Sequence, residues 1–207
     1  IRTSADNGQN WGDIIKPKEM EGDGNTTAGH QEAGFGDPCI VADRESNAIM
    51  VTSCSGTPGF FCGNRNHHQG WARWYSYDDG KTWTEPEYID EEFIYAPFDN
   101  SEYGAVKGWF VGSGKIHQSR YTKLGEYYRL YCAGSTYNGS QTANWVLYSD
   151  DFGKTWSFLG GCDASPIPGG DEPKVEELPN GNLVLSSRCT EGRKFNIFSF
   201  TDAEKAE

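Results

Sequence analysis

Short apolar stretches recur along the chain, separated by clusters of glycine, proline, asparagine and aspartate. Examples are Cys39–Ala42, Ala48–Thr52, Tyr127–Tyr131, Trp145–Tyr148 and Leu183–Ser186. Runs of this length with branched and aromatic residues are typical of strands, whereas helices need longer segments with a period of 3.6 residues. Aromatic residues make up 14% of the chain and glycine occurs 26 times, which fits many short strands joined by turns. The pattern therefore predicts an all-β protein.

A repeated motif organises the predicted strands. The pattern Ser-x-Asp-x-Gly-x-x-Trp occurs at residues 4–11, 76–83 and 149–156, so that successive copies begin 72 and 73 residues apart. In such a motif the aspartate accepts N–H bonds across a turn, the glycine supplies a positive φ, and the tryptophan packs beneath the loop. We interpret the motifs as structural turns and not as calcium sites, because the ligand pattern of an EF-hand loop is absent.

The spacing of the motifs predicts a β-propeller. Blades of the shortest repeats take about 40–45 residues, so longer spacing indicates blades with inserted loops. Three motifs mark about three blades, fewer than a closed propeller needs. We therefore expect residues 1–207 to form one partial domain that packs against the remaining blades of the same propeller. The segment 201–207 is expected to be a point at which a blade turns.

Charge and motifs exclude several classes of function. The chain carries 30 acidic and 18 basic residues, a net charge of -12, and a phosphate backbone would need a basic face. We expect no nucleic-acid partner. No run of apolar residues is long enough to span a membrane, and no signal peptide, P-loop or dinucleotide fingerprint occurs. We expect no membrane span, no cofactor and no metal, and we interpret His67, His68 and His117 as structural or surface residues.

The six cysteines are expected to be mostly free. Cys39, Cys132 and Cys189 lie inside strand-like runs, where a thiol acts as a small apolar residue. A bridge between Cys54 and Cys62, which would close a short loop, is the one disulfide that the spacing leaves open.

Three segments, together with the repeated motif, make the chain similar to bacterial exo-α-sialidases of the Asp-box family, closest to those of Bacteroides-like organisms. They are residues 36–43, 112–118 and 171–188. The last is the most specific, because it combines Glu-Pro-x-Val-x-Glu-Leu-Pro-x-Gly with a later arginine. The resemblance covers almost the whole chain. It implies a six-bladed β-propeller of the sialidase type that hydrolyses terminal α-linked sialic acid from sialylated glycans.

The resemblance gives Glu172 a catalytic role. A sialoside carries a carboxylate on its anomeric carbon, so a carboxylate nucleophile would be repelled, and sialidases use a tyrosine in a retaining mechanism. A glutamate serves as base partner of that tyrosine and stabilises the positive charge of the transition state. Glu172 matches this glutamate. Glu176 and Glu177 are interpreted as surface carboxylates.

The resemblance also assigns substrate-binding roles. Arg188 matches the second of three arginines that hold the substrate carboxylate, because a guanidinium pairs with a carboxylate through two bonds. Asp37 matches an acceptor for the sugar's amide nitrogen or 4-hydroxyl group. Without the family motif, Arg188 would be interpreted as a surface cation, and Asp37 would be interpreted as part of an Asx turn set by Pro38.

Three further residues are expected to touch the substrate. Trp71 stands where the family places aromatic residues beside the N-acetyl pocket, although a core tryptophan is an equal alternative. Gln69 and Gln118 are candidates for hydrogen bonds to the acetamido or glycerol groups, although most glutamines are only solvated.

Four elements of the family's site are expected outside this segment: the first and third arginines, the acid/base aspartate and the nucleophilic tyrosine. The segment alone is therefore expected to be inactive, whereas its complete parent is expected to be a sialidase. The resemblance implies a secreted, periplasmic or cell-surface location.

Two other functions fit the repeated motif. A non-catalytic Asp-box propeller that binds glycan or protein would keep the turns without needing Glu172 and Arg188 together. A hydrolase of neutral glucans would need two carboxylates beside the cleaved bond and no carboxylate-binding arginine. The presence of Arg188 argues against a hydrolase of neutral glucans.

Overall fold

A computed structural model describes residues 1–19, 34–56, 58–112 and 114–200. The segment 201–207, predicted to be a blade turn, lies outside the described residues. The strands in chain order are β1 (Phe35–Ala42), β2 (Ile49–Ser55), β3 (Gly70–Ser76), β4 (Glu87–Tyr88), β5 (Gly108–Val111), β6 (Gly114–Lys115), β7 (His117–Lys123), β8 (Tyr128–Tyr137), β9 (Thr142–Ser149), β10 (Ser157–Phe158), β11 (Ile167–Pro168), β12 (Asp171–Glu177), β13 (Leu183–Cys189) and β14 (Gly192–Phe198). A π-helical turn (Glu91–Tyr95) and the short helix α1 (Ala96–Phe98) follow β4. The predicted all-β class is confirmed. No helix among the described ranges is long and apolar enough to cross a membrane.

The described strands form three sheets. Sheet A has the order β4-β3-β2-β1-β6, sheet B the order β10-β9-β8-β5 with β7 and β11 beside it, and sheet C the order β12-β13-β14. Neighbouring strands are antiparallel except for the short pair β1–β6. Strands that follow one another along the chain pair with one another, which is the meander of a propeller blade. Sheet B lies between the other two, since β5 contacts β1, β2 and β3 while β12 contacts β7, β8 and β9.

Aromatic side chains fill the space between sheets A and B. The ring centroid of Trp71 lies 5.6 Å from that of Trp109 and 5.5 Å from that of Trp156. Trp145 and Phe98 stack edge to face at 5.0 Å. Large rings bury much apolar area and so hold two twisted sheets together. A smaller aliphatic core, which includes Val146, Val175, Leu183 and Leu185, joins sheets B and C.

Each Ser-x-Asp-x-Gly-x-x-Trp motif forms the same turn. In the second copy, Ser76 Oγ donates to Asp78 at 2.9 Å and accepts the N–H of Gly80 at 2.9 Å. Asp78 also accepts the N–H of Thr82 at 2.9 Å, and the Trp83 indole donates to the Gly80 carbonyl at 3.0 Å. The other two copies repeat the serine and aspartate bonds. The aspartate oxygens thus bond within the turn, and the three motifs form the predicted turns.

The aspartates of these turns make the stability of the fold depend on pH in the acid range. Hydrogen bonds from the turn, led by the backbone N–H of Thr82, hold the pKa of Asp78 at about 2, below its ordinary value. A carboxyl whose pKa is lower in the folded state stabilises the fold above its unfolded pKa, near 3.9, and loses that contribution as pH falls towards 2. Unfolding measured by urea between pH 5 and pH 2 should therefore show a shallower loss of stability for Asp78→Asn than for the unchanged protein. Equal slopes would contradict this role.

All six cysteines are free, so Cys54 and Cys62 do not form the disulfide that the spacing left open. Cys54 is buried and its sulfur accepts the N–H of Val111 at 3.2 Å, whereas Cys62 lies exposed on a surface loop. Burial raises the pKa of the Cys54 thiol to about 12. The thiol behaves as a small apolar group of the core, as expected for most of the cysteines.

Candidate active site

Two strained carboxylate residues lie at equivalent places in sheets A and C. Asp37 near the start of β1 has φ 51° and Glu172 near the start of β12 has φ 38°, and each precedes a proline. The strand register shifts at both places, between Gly36 and Cys39 and again between Asp171 and Lys174. A positive φ at a residue other than glycine costs about 1–3 kcal/mol and is concentrated at functional sites. The paired bulges therefore point to a site between these strand ends.

A cavity of about 310 Å³ opens between the two bulges. Its lining combines carboxylates with an apolar wall and consists of Asp37, Phe60, Phe61, Gln69, Phe110, Asp171 and Glu172. The structure thus brings together three residues that the sequence singled out, namely Asp37, Gln69 and Glu172. Removal from water raises the pKa of Asp37; Lys174 opposes this rise and the nearby Glu172 adds to it. The cavity is an acidic pocket with one aromatic side.

Arg188 stands next to this cavity. It lies directly opposite Asp171 in the pairing of β12 with β13. Its guanidinium lies 2.5 Å from the Asp171 carboxylate and 3.0 Å from the Glu172 carboxylate. The Arg188 side chain is 55% exposed, so it remains accessible to an anion. Asp171 and Phe61 also line a neighbouring cavity of about 260 Å³ together with Arg188, so the two cavities share a border.

Two of the three rings of the aromatic wall, Phe60 and Phe61, come from the loop between β2 and β3, and Phe110 comes from β5. The sequence drew attention to this loop for its histidines, Cys62 and Gln69, and not for its phenylalanines. Phe61 is 65% exposed, and its ring contacts Phe60 at 4.8 Å and Tyr137 at 5.2 Å. Arg65 fastens the loop through ion pairs of 2.5 Å to Glu91 and 2.7 Å to Asp99. The fixed loop holds an exposed ring against the pocket. The sequence feature that indicates this aromatic wall is the pair of adjacent phenylalanines inside a Gly-rich insert.

Trp71 is not part of the pocket surface. Its side chain is fully buried, packed between Trp109 and Trp156. The expected contact with an N-acetyl group is therefore wrong for this structure, and the alternative core interpretation holds. The reason is the position of β3, whose residues are buried on both faces, so that a tryptophan there enters the core.

Gln118 also lies away from the pocket. Its amide nitrogen donates to Asp43 at 2.6 Å and its amide oxygen accepts the N–H of Arg44 at 3.2 Å. Asp43 follows the end of β1 that is opposite to Asp37. The amide is thus used to join sheets A and B, and the expected sugar contact is wrong.

Glu177 is buried, which corrects its interpretation as a surface carboxylate. It is 2% exposed and accepts hydrogen bonds from Ser119 Oγ at 2.5 Å and from the Arg120 N–H at 2.6 Å. His117 lies 3.5 Å from Glu177 and 2.8 Å from Glu176. Glu176 is 45% exposed and so remains near the surface. These residues brace β7 against β12.

Comparison with known proteins agrees with this architecture. The model of the BNR/Asp-box repeat family matches residues 147–158, which contain the third motif. A sialidase of Micromonospora viridifaciens is 30% identical over 200 residues, which cover 90% of this chain and 27% of that protein. A sialidase of Bacteroides fragilis (strain YCH46) is 26% identical over 204 residues, which cover 93% of this chain and 34% of that protein. The chain thus spans about a third or less of the curated relatives it matches.

Solved structures show the same fold. The Hadza microbial sialidase Hz136 superimposes with a TM-score of 0.71 at 19% identity over 99% of this chain and 40% of its own. The intramolecular trans-sialidase from Ruminococcus gnavus gives a TM-score of 0.70 at 15% identity, covering 99% of this chain and 61% of its own. Trypanosoma rangeli sialidase gives 0.69 at 17% identity, covering 99% and 31%. The chain thus carries the Asp-box repeat, is similar in sequence to two sialidases, and has the fold found in part of these sialidase β-propellers.

Proposed function

We propose that the complete parent of this segment is an exo-α-sialidase and that Glu172 and Arg188 belong to its active site. The observation that carries the proposal is the contact of 3.0 Å between the two side chains, at a pocket whose other side holds Asp37. A binding propeller needs no such pair of an exposed arginine and a strained glutamate. The nucleophilic tyrosine, the acid/base aspartate and the two other arginines of the mechanism would come from parts of the parent outside this chain.

The chemistry of the pair follows from its charges. The exposed guanidinium of Arg188 would bind the carboxylate of sialic acid through two hydrogen bonds. Glu172 would accept the proton of the tyrosine hydroxyl while the tyrosine oxygen forms a bond to the anomeric carbon. The bond to the leaving oxygen would break in the same step, as that oxygen takes a proton from the aspartate. Water, giving its proton to the aspartate, would then displace the tyrosine oxygen, which takes its proton back from Glu172, and free sialic acid would be released. Until it has taken up the tyrosine proton, the Glu172 carboxylate would place a negative charge near the anomeric carbon and so stabilise the oxocarbenium-like transition state.

The rest of the pocket suits the acetamido group. Asp37 would accept a hydrogen bond from the amide N–H or from the 4-hydroxyl group. The Gln69 side-chain oxygen is buried and has no hydrogen-bond partner within the described residues, so it is available as an acceptor. Phe60 and Phe61 offer the apolar surface for the acetyl methyl group that the sequence had assigned to Trp71.

Turnover by the parent tests the proposal. We expect the purified complete protein to release sialic acid from a fluorogenic sialoside and from sialyllactose, and we expect residues 1–207 alone to release none. A parent that binds sialyllactose without cleaving it would instead be a non-catalytic propeller. Cleavage by the verified 207-residue segment would refute the assignment of the nucleophile to other blades.

Replacing Arg188 with lysine tests the binding role. Lysine keeps the charge but loses the planar fork, so one hydrogen bond to the substrate carboxylate disappears. A charged hydrogen bond contributes about 1.5–3 kcal/mol, which corresponds to a rise in KM of about 10–100-fold for the parent. Steady-state kinetics on the fluorogenic sialoside measure this. Arg44→Lys, at the opposite end of β1, is the matched control, and an unchanged KM in Arg188→Lys would contradict the role.

A further inference from the structure

Asp171 makes two separate contacts at the candidate site. One carboxylate oxygen lies 2.5 Å from Arg188 Nη2, and the other accepts the backbone N–H of Glu172 at 2.8 Å. The Asp171 side chain is 34% exposed, which makes it the least exposed member of the trio that it forms with Arg188 and Glu172. Neither contact is explained by the turns or the core.

The first contact fixes a guanidinium. Arg188 lies between two carboxylates, with Nη1 3.0 Å from Glu172 Oε1 and Nη2 bound to Asp171. A guanidinium held at both ends keeps one plane, and its remaining N–H groups keep one direction. With Glu172 as its only partner, the long side chain would be able to rotate about that contact.

The second contact supports a strained backbone. Glu172 lies in the bulge of β12 with φ 38°, and Pro173 after it has no N–H to donate. A backbone N–H in such a place needs an acceptor. The Asp171 carboxylate supplies it from the adjacent residue, so the same side chain that orients Arg188 also holds the peptide that carries Glu172.

We propose that Asp171 is a positioning residue that fixes the Arg188 guanidinium and the Glu172 backbone relative to each other. The inference rests on the proposed function, because it assigns Asp171 to the same site. Asp171 would not touch the reacting atoms. It would set the distance between the group that binds the substrate carboxylate and the group that accepts the proton of the nucleophile.

Two substitutions in the complete parent separate the two contacts. Asp171→Asn keeps an oxygen that accepts the Glu172 N–H but loses the charge opposite Arg188, so we expect KM to rise about tenfold while kcat changes less than about threefold. Asp171→Ala loses both contacts, and we expect a similar KM with kcat lower by a further factor of about ten. In the Arg188→Lys background, Asp171→Asn should change KM less than about twofold, because coupled residues are not additive.

Control variants distinguish a positioning role of Asp171 from a general contribution to the stability of the fold. Asp163→Asn removes another carboxylate that accepts a backbone N–H, that of Glu102 at 3.0 Å, away from the pocket, and should leave both kinetic constants unchanged. The proposal is overturned if Asp171→Asn and Asp171→Ala keep the parent's kinetics. It is also overturned if they lower only the melting temperature, or if the effects of Asp171→Asn and Arg188→Lys simply add.

A parent that turns over no sialoside would refute the proposed function and not, by itself, the positioning role. In that case the thermal unfolding of the two single variants and the double variant tests the pair directly. Shifts in melting temperature that fail to add would support the coupling of Asp171 with Arg188, and additive shifts would overturn it.

Discussion

Replacing Glu172 with glutamine in the complete parent is expected to lower kcat by about 10²–10⁴-fold, the range for loss of a positioned base. Glutamine has nearly the same shape but cannot accept the proton of the nucleophile or place a negative charge near the transition state. The Glu172 side chain is 56% exposed, so the fold should tolerate the change. Steady-state kinetics give kcat, and circular dichroism with a melting curve gives the state of the fold.

Glu176→Gln is the matched control for this prediction. Glu176 lies on the same strand, four residues further on, and its side chain is 45% exposed and paired with Lys115 at 2.6 Å. Its replacement should leave kcat within about threefold of the parent's value. Should Glu172→Gln turn over substrate as fast as the parent does, the assignment of Glu172 as base partner would be wrong.

Trp71→Ala is expected to lower the free energy of unfolding by about 3–5 kcal/mol, the usual cost of deleting a large buried ring. The side chain is fully buried and packs against Trp109 and Trp156, so its removal would leave a large cavity between sheets A and B. Urea denaturation of the complete parent, followed by tryptophan fluorescence and circular dichroism, measures the loss.

Two further variants make the test of Trp71 specific. Trp71→Phe keeps most of the apolar volume and should recover more than half of the lost stability. Tyr77→Ala removes a ring that is 59% exposed at the other end of β3 and should change the free energy of unfolding by less than about 0.5 kcal/mol. A Trp71→Ala variant of normal stability with a raised KM would restore the substrate-binding interpretation.

The features that sequence reasoning predicted well are those set by neighbouring residues. An Asp-box turn closes within eight residues, so the serine, aspartate and glycine of the motif define its bonds locally. The resemblance to sialidases, carried by residues 36–43 and 171–188, implied that Asp37 and Glu172 share one site, and both line the same cavity. Their catalytic and binding roles stay predictions.

The errors arose where distant parts of the chain decide the environment. Gln118 is held by Asp43, 75 residues away, and Glu177 is covered by Ser119, 58 residues away. The alternation of residues in β3 does not show that both of its faces are buried, so the position of Trp71 was undecided. Phe61 belongs to a loop whose shape depends on an ion pair between Arg65 and Asp99, and no local pattern reveals that pairing.

The repeated bulge before a proline has a consequence for the design of new propeller enzymes. Asp37 and Glu172 show that one backbone conformation can present different side chains at the same cavity from two separate sheets. The conformation is imposed by the surrounding strands and not by the preference of the residue itself. The residue before each proline is therefore a position at which one side chain can be exchanged to change the chemistry of the pocket while the backbone of the blade is kept.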